Sequence, residues 1–314
     1  MLGNNKNIKA VYIQNFFRFG GSYFYNEFIK SKNTLGLYEP FHEDLSNPEK
    51  IKEGQKNFEK RKDAFNHPNL EFYFKNFPLD QNWFTEFHKK NVESNFFYIE
   101  KRNIVVFQKY LNDLIDFSHS KNCLPIFKIN RLYFNPEVLE KSGVYKIFLY
   151  REPVSSFFSN ITLNLLKPYY DRIFHLANNN IEPFKSLWGI VLDKKINHIR
   201  FLDSKIHFET QKDFDTHYSI FFFIWLYGLY KNFQSKFTFV NYSKLHEKDY
   251  SNKVSSEIFD QCAIEINFSK FKRVEKEIYK VKTSIDPSIK KIIQNLFDEK
   301  EINKILSNNF NIYL

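Results

Sequence analysis

Short apolar runs that end at a cation recur along this chain, and helical periodicity fills the stretches between them. Residues 11–13 lead toward Arg18, residues 124–129 contain Lys128 and run into Arg131, and residues 144–150 are followed by Arg151. Residues 237–242 form a fourth run. Apolar segments of this length, bounded by polar residues, read as buried strands. Between them, Phe24 and Phe28, then Tyr25 and Ile29, stand four apart, and residues 104–117 carry an amphipathic stripe. Pro153 suits the first turn of a helix running through residues 156–165, and residues 219–230 read as a core helix. Strands alternating with helices predict an α/β fold with a mostly parallel central sheet flanked by helices. In such sheets ligands bind outside the carboxyl ends of the strands, where these cations fall.

The 314 residues are read as one domain spanning 1–314, with insertions at 44–122 and 166–217, of which 44–100 and 166–217 are polar and irregular. A hydrophobic content of 43% excludes a disordered chain. The aromatic share of 19% accompanies abundant Asn, Lys and Ile, as in an AT-biased coding sequence, so Phe count alone does not argue for base stacking. Two distant cysteines, Cys123 and Cys262, fit neither a zinc site nor a disulfide framework and suit a reducing compartment. Residues 1–10 lack the apolar core of a signal peptide, and the run 220–229 is too short to span a bilayer. A soluble, cytoplasmic protein is expected, although a net charge of +10 also suits peripheral contact with anionic membranes or glycolipids. Residues 270–291 hold eight basic against three acidic side chains, which reads as a solvated face or a surface for a polyanion.

Two of only eight glycines are adjacent, in Arg18-Phe19-Gly20-Gly21-Ser22-Tyr23, between the first strand and first helix. Glycine there permits close approach or a positive φ, and turn amides at a helix N-terminus hold phosphate. The cation precedes the glycines and no Gly-Lys pair occurs in the chain, which disfavours an ordinary Walker-type ATPase or kinase. A GxGxxG fingerprint is absent as well.

The segment Phe17-Arg18-Phe19-Gly20-Gly21-Ser22-Tyr23-Phe24 resembles the phosphosulfate-binding loop of sulfotransferases dependent on 3'-phosphoadenosine 5'-phosphosulfate (PAPS). Phe17, Phe19 and Gly21 depart from the usual Pro, Ser and Thr, so backbone amides must replace two hydroxyl donors. Arg151-Glu152-Pro153, with Ser159 further on, resembles the family element whose Arg and Ser hold the 3'-phosphate. Residues 239–245 are similar to a third family stretch, whose Tyr, here Tyr242, lies near the adenine. The resemblance implies a P-loop-like sulfotransferase architecture, PAPS as co-substrate, no metal, and variable segments that shape the acceptor pocket.

Sulfonate transfer needs a base for the acceptor proton and cations for the leaving oxygen. Glu39, just after the first helix, matches the base of tyrosylprotein and several carbohydrate sulfotransferases, and His42 competes for that role. The alternative role for Glu39 is as an ion-pair partner for a strand-end cation. Lys128 and Arg18 would neutralise the leaving group. The acceptor is expected to be a carbohydrate or glycolipid, with no nucleic acid as partner. A small-molecule kinase with a degenerate phosphate loop and a basic nucleic-acid-binding protein are the alternatives.

Overall fold

The computed structural model describes residues 8–16, 20–61, 74–92, 99–162, 167–194, 208, 210–269, 271, 284–298, 300–303 and 306. Arg18, Phe19 and most of the basic stretch 270–291 lie outside the described residues, as do parts of the segments 44–122 and 166–217.

The chain divides into two compact units, Met1–Tyr150 with Ser235–Lys272, and Arg151–Gln234 with Arg273–Leu314. The first unit carries a five-stranded sheet of β1 (Ala10–Asn15), β2 (Thr34–Tyr38), β3 (Leu124–Ile129), β4 (Val144–Tyr150) and β5 (Thr238–Asn241), in the order β2-β3-β1-β4-β5. Every pairing is parallel, with Val11 opposite Ile126 and Tyr145, and Leu149 opposite Val240. This is the mixed α/β fold with a parallel central sheet that the alternation of runs implied.

Packing explains why these segments are strands. On one face, Val11, Ile13, Ile126, Ile147, Leu149 and Val240 meet Phe24 and Phe28 of α1 (Gly21–Phe28) and Val254 and Ile258 of α9 (Lys248–Cys262). Each buried Phe or branched aliphatic removed from water there contributes about 1.5–3 kcal/mol. The opposite face carries Tyr12 edge-on to Phe127, with centroids 5.1 Å apart, and α4 (Ile104–Ser120) packs against β3.

Strand β2 is not apparent from hydropathy, because Gly36 interrupts a run of only five residues. A Cβ at Gly36 would overlap the Tyr25 hydroxyl, so glycine is what lets α1 lie close to this edge. Two further helices, α2 (Pro48–Arg61) and α3 (Asn82–Asn91), lie between β2 and α4.

The second unit is helical among its described residues: α5 (Pro153–Thr162), α6 (Lys167–Asn178), α7 (Phe184–Asp193), α8 (Gln211–Phe233) and α10 (Pro287–Leu296). Helix α8 contains the core segment expected at 219–230 and begins earlier. Thr210 caps its N-terminus, the side-chain oxygen accepting the Asp213 N–H at 3.1 Å. No helix among the described residues is long and apolar enough to cross a membrane.

Candidate functional site

Strand order places the site. The chain leaves β1 toward β2 and leaves β4 toward β5 on the other side, so the direction reverses between these neighbouring strands. A crevice outside the carboxyl ends of strands is expected at such a reversal. The glycine turn follows β1, and Arg151 is the residue after β4.

Gly20 takes a left-handed conformation, φ 82°, and is the N-cap of α1. A Cβ on it would overlap the ring of Tyr242, and one on Gly21 would overlap the Asn15 carboxamide. Main chain therefore lies directly against these groups, and the first amides of α1 have no intrahelical acceptor. The Asn15 carboxamide is 2% exposed; its Nδ2 donates to Phe16 O at 2.6 Å, while Oδ1 is buried without a hydrogen-bond partner. Tyr23 packs edge-on to Phe271 at 4.5 Å, and Tyr242 lies 5.5 Å from the same ring. Tyr242 thus borders the turn.

At the neighbouring strand ends a charged cluster is closed off from water. Glu39 follows β2 and Lys128 lies in β3; both are about 2–3% exposed, and Arg131 is 6% exposed. Lys128 Nζ donates to Glu39 Oε1 at 3.1 Å, and Arg131 Nη1 donates to Oε2 at 3.1 Å. Arg131 Nη2 donates to Glu43 Oε2. Lys128 Nζ also stands 4.5 Å from the centre of the Tyr38 ring, a cation over an aromatic face. The Tyr38 hydroxyl shares a 2.6 Å hydrogen bond with Ser22 Oγ. A chain of contacts therefore runs from Ser22 in the first turn of α1 through the Tyr38 ring and Lys128 to Glu39.

The backbone aims Glu39 inward at a cost. Its φ is 55°, a left-handed value uncommon for a residue other than glycine. Its N–H donates to Lys128 O at 2.7 Å, its carbonyl accepts the His42 N–H at 2.9 Å, and Pro40 O accepts the Tyr110 hydroxyl at 3.0 Å. Tyr110 in turn lies 2.8 Å from His88 Nε2. Since the Tyr110 hydroxyl donates to Pro40, His88 Nε2 must carry the proton it gives to Tyr110. Burial holds the His88 imidazole down at about 3, with the nearby His42 a lesser cause, so the ring is neutral.

His42 and Glu43 form the outer rim. Burial, then the Arg131 charge, holds the His42 imidazole below its ordinary range against the pull of Glu43, Glu39 and Asp44. His42 Nδ1 accepts the Asp44 N–H at 3.2 Å, leaving its proton on Nε2. Burial pushes the Glu43 carboxyl up, but Arg131 and His42 outweigh it and leave the group below the usual carboxylate range.

In the second unit Arg151 and Ser159 are partly buried, and Arg151 O accepts the Trp225 indole N–H at 3.0 Å. Ser155 and Ser156, in the first turn of α5, are fully buried, with hydroxyls that have no hydrogen-bond partner.

The structure thus groups Gly20, Gly21, Ser22, Tyr23 and Tyr242 around the turn, and joins Glu39, Lys128 and His42 to Arg131 and Glu43. Sequence patterning did not single out Tyr38, Asn15 or Glu43. Their only signal is position: each lies within four residues of a strand end or of Glu39. Among the described residues no group of three or more His, Cys, Asp or Glu side chains is placed to hold a metal ion. Comparison with family models, curated proteins and solved structures found no match.

Proposed function

We propose that this chain is a sulfotransferase with a P-loop-like architecture, moving a sulfonate from PAPS to the hydroxyl or amine of a carbohydrate or glycolipid acceptor. The observation that carries this reading is the buried Glu39–Lys128 pair. It lies one strand from the glycine turn and is joined to it through Tyr38 and Ser22. A carboxylate beside a lysine and a phosphate-type turn is the equipment that sulfonate transfer requires.

In this mechanism the turn amides and Ser22 hold the 5'-phosphosulfate, while the resemblance gives the 3'-phosphate to Arg151 and Ser159. The acceptor oxygen attacks sulfur as its proton passes to Glu39. A sulfur–oxygen bond forms to the acceptor, and the bond from sulfur to the phosphate oxygen breaks. The electron pair leaves with adenosine 3',5'-bisphosphate, and Lys128 and Arg18 neutralise its charge. Both Glu39 oxygens are engaged in the resting protein, so Lys128 must turn from the carboxylate to the donor before the base is open.

The test pairs binding with turnover. Saturating adenosine 3',5'-bisphosphate should raise the melting temperature. Radiolabelled PAPS should then pass label to one fraction of a glycan and glycolipid extract. E39Q should lower transfer about 10²-fold or more while nucleotide binding persists. No thermal shift at saturation would refute the reading, and magnesium-dependent ATP turnover would assign the site to a small-molecule kinase instead.

A further inference from the structure

Arg131 divides its guanidinium between two carboxylates: Nη1 meets Glu39 Oε2 at 3.1 Å and Nη2 meets Glu43. A guanidinium facing a single carboxylate prefers the planar fork, with two parallel N–H···O bonds covering both oxygens. Here Glu43 holds the second nitrogen, so the contact with Glu39 is end-on and Oε1 is left to Lys128. When Lys128 turns toward the donor, Oε1 is the oxygen that must receive the acceptor proton. Without Glu43, Arg131 could close the fork over the vacated position and block it.

We propose that Glu43 is a positioning residue that anchors Arg131 away from the fork and so keeps one oxygen of Glu39 open to the acceptor. This rests on Glu39 being the base of the proposed transfer. Glu43 is suited to the task because its backbone is fixed: it begins the short 3-10 turn Glu43–Ser46, in which Ser46 Oγ donates to Glu43 O at 2.7 Å. Asp44 makes no contact with Arg131 among the ion pairs here; its carboxylate lies 3.6 Å from His42 Nδ1 and 3.8 Å from Lys50 Nζ. At 31% exposure, Glu43 can be replaced without opening a core cavity.

The deciding experiment is a crystal structure of the E43Q variant beside that of the parent. Arg131 is expected to close a two-bond fork on Glu39 and displace Lys128 from Oε1. An Arg131 still end-on, with Lys128 in place, would overturn the proposal. Release of labelled sulfate from PAPS, with water as acceptor, supplies the kinetic arm. E43Q should lower kcat about tenfold with the donor KM unchanged, and E43D should restore most of it. In an R131K background, where no fork exists, E43Q should cause no further loss. A kcat within twofold of the parent, or an equal loss on R131K, would overturn it. A parent that fails to bind adenosine 3',5'-bisphosphate counts against the sulfotransferase reading. A silent E43Q in a protein that binds the nucleotide and depends on Glu39 counts against this inference alone.

Discussion

Replacing Glu39 with Gln, nearly isosteric but uncharged, should destabilise the first unit severely, quite apart from any effect on turnover. Lys128 and Arg131 would remain at 2% and 6% exposure with their shared carboxylate gone. Arg131 would keep Glu43, while Lys128 would lose its carboxylate and keep its place over the Tyr38 ring. Breaking a buried ion pair from one side costs about 3–5 kcal/mol, because the desolvated partner charge is left uncompensated. K128M should cost less, about 1–2 kcal/mol, since Glu39 keeps Arg131 and a linear apolar chain fills the space. The double variant E39Q/K128M should recover about 2 kcal/mol or more relative to the sum of the single changes, because the buried ammonium that lost its carboxylate is gone. Urea unfolding of the four proteins, followed by fluorescence, measures this cycle. An E39Q cost under about 1 kcal/mol, or additive single changes, would refute the reasoning and mean that water reaches the cluster.

His88 is held neutral at about 3 by burial, whereas in the unfolded chain it titrates near the ordinary value of 6.5. Its contribution is therefore fully present above pH 6.5 and is lost as pH falls toward the folded value. At pH 5 the loss is about 2 kcal/mol relative to pH 8. Unfolding free energies at the two pH values should converge by that amount in H88Q, and an unchanged pH dependence would contradict the burial argument. Gly20→Ala must place a Cβ at φ 82° against the Tyr242 ring, and should cost more than about 1 kcal/mol of stability. In a Y242A background the steric part should vanish and only the strain remain; an equal cost in both backgrounds would rule out the ring contact.

The parallel sheet was legible because β1, β3, β4 and β5 are apolar enough to stand out between polar ends. Strand β2 was not, since Gly36 breaks its pattern for the sake of helix packing. Glu39 and Lys128 could be named from position, one after the first helix and one in a strand. Their pairing could not, because it depends on β2 and β3 being neighbours, with Tyr38 opposite Lys128. Arg131 was visible as a strand-end cation, but its division between two carboxylates depends on the left-handed turn at Glu39, which local sequence does not specify. The buried polar ends of β1, Gln14 and Asn15, look like ordinary surface residues until the sheet covers them.

Calorimetric titration with adenosine 3',5'-bisphosphate, beside adenosine 5'-monophosphate, tests the central claim most directly. Saturable binding of the bisphosphate is expected, at least about tenfold tighter than that of the monophosphate, with the preference abolished in an R151M variant. Equal affinity for both nucleotides, or no heat from either, would contradict it.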